Sequence, residues 1–125
     1  MEYYTKLKIQ TINVNGMAEH NKRKKVLTLL ESNNCDIFFL QETHCQSIPE
    51  WKGQQFTSYN SNRSAGCAIL FREGYQEKVS GFDSDGDGRV TMVNLNVGEI
   101  KVRLVCIYES NISINRKSFL NRFCL

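Results

Sequence analysis

The sequence predicts an α/β fold, and three segments of the chain carry that prediction. Residues 37–40 form a short, continuous apolar run, which is typical of a strand that is covered on both faces. Residues 21–33 place apolar side chains on one side of a helix and charged side chains on the other. Residues 100–108 alternate between apolar and polar side chains, as a strand with one buried face does.

The predicted elements follow one another in the order β, α, β, β, β, β, and a further helix begins at residues 114–125. Residues 46–64 are predicted to be rich in loops, with a short strand near residues 56–59. The strand–helix–strand order at the start of the chain favours a parallel pairing of the first two strands. The first helix is expected to begin at Asn21, its N-cap, and its apolar side comprises Val26, Leu27, Leu29 and Leu30.

Glu42 is the strongest single candidate for a functional residue. It comes directly after the apolar strand, and a carboxylate rarely stands so close to a buried strand unless a partner or a cation meets it. Proteins of the α/β class also build their sites at strand ends. The alternative is a structural role, in which Glu42 forms an ion pair with Lys8 or Arg103.

Two other predicted strands also end on polar side chains. The first leads into Asn13 and then the turn pair Asn15-Gly16, and the last leads into Tyr108. Parallel strands end at the same sheet edge, so we expect Asn13 and Glu42 to lie there together. Three such endings in one small domain predict a shared polar site. The alternatives are that Asn13 belongs only to a turn and Tyr108 only to the core.

Four short segments of the chain occur in an order that resembles a known family. They are TINVNG at residues 11–16, LQETH at 40–44, SAGCAIL at 64–70 and IYESN at 107–111. Together they resemble the first half of the endonuclease/exonuclease/phosphatase superfamily, and most of all the apurinic-type endonuclease domain of LINE-type (non-LTR) retrotransposons. The ordered set covers nearly the whole chain.

The resemblance implies the N-terminal half of a four-layered α/β/β/α sandwich and Mg2+-dependent hydrolysis of DNA phosphodiesters, with Mn2+ as a possible substitute. By this resemblance Glu42 is the metal-binding glutamate, Asn13 the polar residue at the base of the site, and Tyr108 the tyrosine near the scissile phosphate. The residue types agree, because Mg2+ takes carboxylate oxygen and keeps several waters. An amide and a phenol add directional hydrogen bonds without adding negative charge.

The resemblance also implies catalytic residues that this sequence does not contain. Family members carry Asp-x-Asn, a further Asp and a late Asp-His pair in a second half, and neither His20 nor His44 matches that pair. The family also commonly reads Tyr-x-Pro-Asn where this chain has Tyr108-Glu109-Ser110-Asn111, so a φ-fixing proline is missing. We therefore expect residues 1–125 to be one partial domain, truncated at its C-terminus and inactive alone.

A second class of function stays open beside the nuclease. A non-catalytic pseudoenzyme could keep a Mg2+-capable surface that binds nucleic acid without turnover. A phosphatase of the same superfamily is a further alternative. Truncation of a two-sheet sandwich is expected to expose Ile9, Phe39, Ile69 or Leu104 and to favour self-association.

Composition excludes few classes of protein. The net charge of +3 permits a nucleic-acid partner, and no stretch approaches the roughly 18 apolar residues of a membrane span. The N-terminus lacks the apolar region of a secretion signal, so an intracellular location, nuclear or cytoplasmic, is expected.

The five cysteines include no Cys-x-x-Cys pair, which argues against zinc and for reduced thiols.

Two charged segments have alternative interpretations. The basic run at residues 22–25 has three interpretations: a solvated helix face, a contact with the DNA backbone, or a nuclear-import patch. Residues 83–90 resemble the first half of an EF-hand calcium loop. Position 12 of that loop, which supplies a bidentate carboxylate, would be Asn94 here, and strand-like segments flank the loop instead of helices. Asp87-Gly88 between two strands instead predicts a hairpin turn, and Gly98-Glu99 predicts another.

Overall fold

The computed structural model describes residues 6–60, 65–75 and 78–109, which form seven strands and one helix. The strands are β1 (Ile9–Asn13), β2 (Ile37–Gln41), β3 (Gln55–Ser58), β4 (Cys67–Phe71), β5 (Lys78–Ser84), β6 (Val90–Val97) and β7 (Ile100–Ile107). The helix α1 (His20–Ser32) lies between β1 and β2. Six strands follow the helix, two more than the predicted order gave, but the short strand near residues 56–59 and the strands beside the two predicted hairpin turns are present as β3, β5, β6 and β7.

The strands form two sheets. The first has the order β1-β2-β4-β3, in which β1 and β2 are parallel and the other neighbours are antiparallel. The second is the antiparallel sheet β5-β6-β7. The parallel pairing predicted from the strand–helix–strand order is therefore confirmed.

Two apolar layers hold the fold together. One lies between α1 and the first sheet, where Leu30, Phe38 and Leu40 are almost completely buried. The other lies between the two sheets and contains Ile69, Leu104 and other buried side chains from both. The described residues thus form a mixed α/β sandwich with a helix layer and two sheet layers. The helix predicted at residues 114–125 lies outside the described residues.

Helix α1 differs from its prediction at two places. It begins at His20, with Glu19 as the N-cap residue, whereas Asn21 was expected to cap it. Leu29 is 51% exposed, while Val26, Leu27 and Leu30 are buried. The apolar stripe is narrower than predicted because only three of its four side chains reach the first sheet.

The apolar residues expected to be exposed by truncation are mostly covered. Ile69 is fully buried, Leu104 is 5% exposed and Phe39 is half-buried, because the second sheet already packs on the first. Ile9, at the edge of the first sheet, is 44% exposed. No helix in the described parts of the chain is both long enough and apolar enough to cross a membrane.

Candidate functional site

The two sheets bring three strand ends to one side of the sandwich. Asn13 is the last residue of β1 and pairs in register with Gln41, the last residue of β2. Glu42 follows β2 directly, and Tyr108 follows β7 of the second sheet. The side chain of Gln41 also spans the sheets, because its amide donates to Thr11 Oγ1 at 2.7 Å and to Cys106 Sγ at 3.7 Å.

Glu42 and Tyr108 are in contact through their side chains. Burial raises the pKa of the Tyr108 phenol above its ordinary value, and the charge of Glu42 and a hydrogen bond to Glu42 raise this pKa further. The positive charge of Arg89 acts in the opposite direction. A protonated phenol therefore donates to a carboxylate, and this contact joins the first sheet to the second.

Asn13 lies at the same edge but makes a local contact. Its Oδ1 accepts a hydrogen bond from the backbone N–H of Asn15 at 3.0 Å, which stabilises the turn after β1. Asn15 and Gly16 both have positive φ, 52° and 86°, as the Asn-Gly turn pair requires. The contacts found among the described residues do not bring Asn13 against Glu42 or Tyr108.

The chain leaves β2 in an unusual backbone conformation. Glu42 and His44 have φ of 56° and 57°, in the left-handed region that non-glycine residues rarely adopt. Backbone hydrogen bonds hold this segment on both sides, from Gly16 N to Glu42 O at 2.7 Å and from Thr43 N to Gly66 O at 3.1 Å. Strain of this kind costs about 1–3 kcal/mol per residue and is concentrated at functional sites.

Two glycines make room for this segment. A Cβ on Gly16 would come within 2.7 Å of His44 Nδ1, and a Cβ on Gly66 within 2.4 Å of Thr43 Oγ1. Both have positive φ, so a side chain there would be strained as well as crowded. The local sequence thus lets three backbone segments approach closely around Glu42.

Three residues of the site were missed at the sequence level. Arg89 affects the pKa of Tyr108, and its carbonyl accepts the Tyr108 N–H at 2.7 Å. Thr43, next to Glu42 in the chain, is buried, and among the described residues His44 Nε2 is buried without a hydrogen-bond partner. The signal for Arg89 was its place directly after a hairpin glycine, whereas Thr43 and His44 required the tertiary packing.

The structural alternative for Glu42 is not observed. In the described ranges the ion pairs join Glu50 to His20 and Arg23, and Asp36 to Arg72. Of the two proposed partners of Glu42, Arg103 donates instead to Asn94 Oδ1 at 3.0 Å.

The oxygen donors at the site fit a hard cation. Glu42 supplies a half-buried carboxylate at a sheet end and Asn13 an exposed amide, and Mg2+ is commonly bound by one or two carboxylates together with waters and phosphate. Among residues 6–60, 65–75 and 78–109, no three His, Cys, Asp or Glu side chains converge as ligands. A metal ion at this place would therefore find few protein ligands among the described residues.

The charged segments and the cysteines occupy the following places in the structure. In the basic run, Lys24 and Lys25 are exposed, while Arg23 is ion-paired with Glu50. The turns predicted at Asp87-Gly88 and Gly98-Glu99 connect β5 to β6 and β6 to β7. Four cysteines are free thiols: Cys35, Cys45, Cys67 and Cys106. The fifth, Cys124, lies outside the described residues.

Comparison with known proteins identifies the family. The sequence model of the endonuclease/exonuclease/phosphatase family matches residues 11–121. The chain belongs to this family. It is also 28% identical over 121 residues to a Xenopus laevis protein described as the transposon TX1 uncharacterized 149 kDa protein. That match covers 90% of this chain and 9% of the transposon protein.

Solved structures agree with membership of the endonuclease/exonuclease/phosphatase family at the level of the fold. The chain is similar to the selenomethionine form of TDP2 from Caenorhabditis elegans, with a TM-score of 0.69 and 18% identity over 94% of this chain and 40% of that one. A truncated Caenorhabditis elegans TDP2 gives a TM-score of 0.66 and 16% identity, covering 94% of this chain and 53% of that one. The chain thus spans about half or less of the proteins that it matches.

Proposed function

We propose that this chain is a Mg2+-dependent endonuclease domain of retrotransposon type, which binds DNA and takes part in phosphodiester hydrolysis. The observation that carries the proposal is that the ends of β2 and β7 meet, with Cys106 Sγ 3.5 Å from Leu40 O, so that Glu42 and Tyr108, which follow these strands, interact through their side chains. Membership of a family that includes endonucleases and the similarity to a transposon protein support this class of activity. We also propose that the chain alone does not turn over DNA, since neither of its two histidines adjoins an aspartate.

In this proposal each residue has a distinct role. Glu42 would hold the metal ion, which when bound neutralises charge on a phosphate oxygen, and Asn13 would lie at the base of the site. The Tyr108 phenol is protonated at neutral pH, as an ordinary phenol is and all the more so with its raised pKa, and its one O–H donates to the Glu42 carboxylate and orients it. The contact with Glu42 fixes the direction of that donor. Arg89 adds positive charge beside Tyr108, which favours an anionic substrate.

The first test is Mg2+ binding by isothermal titration calorimetry. We expect Glu42→Gln to weaken binding about tenfold or more, because it removes the charged ligand while preserving the size of the side chain. Glu99→Gln is the matched control, since Glu99 is exposed in the turn between β6 and β7. Equal affinities of the wild type and Glu42→Gln would refute the metal site.

The second test is nicking of supercoiled plasmid with Mg2+, with EDTA and with Glu42→Gln. We expect no nicking by the folded chain, together with DNA binding that weakens as salt concentration rises. Nicking that both EDTA and Glu42→Gln abolish would refute the proposed inactivity and retain the endonuclease. Absence of both DNA binding and Mg2+ binding would refute the proposed function as a whole.

A further inference from the structure

The aspartate-rich turn between β5 and β6 is organised around one carboxylate. Asp85 Oδ1 accepts hydrogen bonds from the backbone N–H groups of Asp87 at 3.1 Å and Val90 at 3.2 Å, with a longer contact to the Arg89 N–H at 3.4 Å. The same oxygen accepts the Ser58 hydroxyl at 2.7 Å. The carboxylate of Asp85 therefore gathers donors of the protein itself.

One branch of this network runs from Asp85 to the backbone beside Glu42. Ser58 is buried in β3 and, besides donating to Asp85, accepts the Gly88 N–H at 3.0 Å. The Gly88 carbonyl accepts the Gly66 N–H at 2.9 Å, and the Gly66 carbonyl accepts the Thr43 N–H at 3.1 Å. Each step joins a different segment, so the turn reaches the strained exit of β2.

The close fit of these segments leaves little freedom for adjustment. A Cβ on Gly88 would come within 2.7 Å of Gly66 N and 2.8 Å of Ala65 Cβ. Gly88 also has a φ of 78°, which a side chain would strain. The turn must therefore keep its conformation if Gly66 is to stay in place behind Thr43.

The other branch runs from Asp85 to Tyr108. The carbonyl of Arg89, which lies in the segment that Asp85 organises, accepts the Tyr108 N–H at 2.7 Å. This bond fixes the backbone from which the Tyr108 phenol reaches Glu42. One carboxylate thus supports the backbone on both sides of the contact between Glu42 and Tyr108.

We propose that Asp85 is a positioning residue of the candidate site. It sets the geometry of the pair formed by Glu42 and Tyr108 through the backbone that carries them, without being a member of the pair. The importance of this pair for Mg2+ rests on the proposed function, but the positioning itself does not. In this inference the hydrogen bonds that Asp85 Oδ1 accepts matter more than the charge of its carboxylate. Asparagine at this position keeps that oxygen, whereas alanine removes it.

The experiment compares Asp85→Ala, Asp85→Asn and Asp87→Ala by nuclear magnetic resonance of the 125-residue chain. The readout is the nuclear Overhauser effect between the Tyr108 ring and the Glu42 side chain, with Tyr108→Phe used for assignment. We expect Asp85→Ala to lose this Overhauser effect. We also expect the amide hydrogens of Gly66 and Tyr108 to exchange with solvent about tenfold faster in this variant. Asp85→Asn should resemble the wild type, as should Asp87→Ala, since the network uses only the backbone of Asp87.

Titration of the same variants with Mg2+ separates this inference from the proposed function. We expect Asp85→Ala to bind Mg2+ about tenfold more weakly and Asp85→Asn to retain affinity. If Glu42→Gln does not change Mg2+ binding, the proposed function fails, and the Overhauser effect still decides the role of Asp85. An unchanged Overhauser effect in folded Asp85→Ala, or its loss in Asp85→Asn, would overturn the inference.

A second variant keeps the inference testable if Asp85→Ala does not fold. Ser58→Ala cuts only the branch through Gly88 and leaves the bond between Tyr108 N and Arg89 O. We expect this variant to speed exchange of the Gly66 amide and to leave that of Tyr108 unchanged. Equal effects on both amides, or none on either, would contradict the two-branch network.

Discussion

At the residue scale, Glu42 combines a candidate functional group with an unfavourable backbone conformation. Its φ of 56° is maintained by hydrogen bonds from its neighbours rather than by its own preference. A residue chosen only for stability at this position would be glycine. We propose that a carboxylate stands there because its side chain has a role that offsets the strain.

This reasoning predicts that two substitutions of Glu42 differ in their effect on stability but not in their effect on Mg2+ binding. Glu42→Gly should be more stable than Glu42→Ala by about 1–2 kcal/mol, because alanine retains the left-handed strain and glycine does not. Both variants lose the carboxylate equally, so both should lose Mg2+ binding. Urea unfolding and calorimetry provide the two measurements. Equal free energies of unfolding would show that the conformation is not strained.

At the scale of the element, helix α1 depends on tertiary contacts more than on its own ends. It has no side-chain cap and no acidic residue in its first turn, where basic residues oppose the helix dipole. Arg23 compensates through its Nε, which lies 2.9 and 2.8 Å from the two carboxylate oxygens of Glu50. His20 Nδ1 lies 3.5 Å from the same carboxylate.

The ion pair at α1 predicts a pH dependence of stability. The hydrogen bond from Arg23 lowers the pKa of Glu50 from 4.5 to about 2. Because the folded state lowers this pKa, the stabilisation is present above pH 4.5 and is lost as the pH falls through about 2. Thermal melts of the wild type and Glu50→Gln should therefore differ at pH 6 and converge towards about pH 2.

Glu31→Gln is the control for this prediction, because Glu31 is exposed at the other end of α1. Its melting temperature should follow that of the wild type throughout the titration. A difference between wild type and Glu50→Gln that does not change with pH would contradict the role of the Glu50 charge.

At the scale of the whole molecule, the sandwich has edge strands that can pair with other chains. In the described part of the structure, β1 and β3 flank the first sheet and β5 and β7 flank the second. Ile9 on β1 is 44% exposed, and an exposed apolar edge favours association. The covered core between the sheets, by contrast, gives no apolar face for association.

Self-association should therefore depend on the exposed edge strands, β1 among them, rather than on apolar surface in general, although Phe82 on β5 and Ile100 on β7 are also exposed. We expect sedimentation equilibrium to show a mass that rises with concentration, and Ile9→Lys to suppress that rise. Leu29→Lys is the matched control, since Leu29 is 51% exposed on the helix and belongs to no edge. A monomer at all concentrations, or equal effects of both variants, would contradict this prediction.

The sequence by itself determined the family, the α/β class and the parallel pairing of the first two strands. It could do so because hydrophobic period and turn residues are local, as in the run at residues 37–40 and the pair Asn15-Gly16. It also identified Glu42 and Tyr108 as candidates, since polar residues at strand ends are visible in the chain.

Only the tertiary structure decided how those residues meet. The contact between Glu42 and Tyr108 joins residues 66 positions apart on two different sheets, and sequence spacing does not encode which sheet a strand enters. The helix start and the exposure of Leu29 likewise depended on packing that overrides local preference. The network of Asp85 could be found only from the structure, because its bonds link five segments that are separate in the chain.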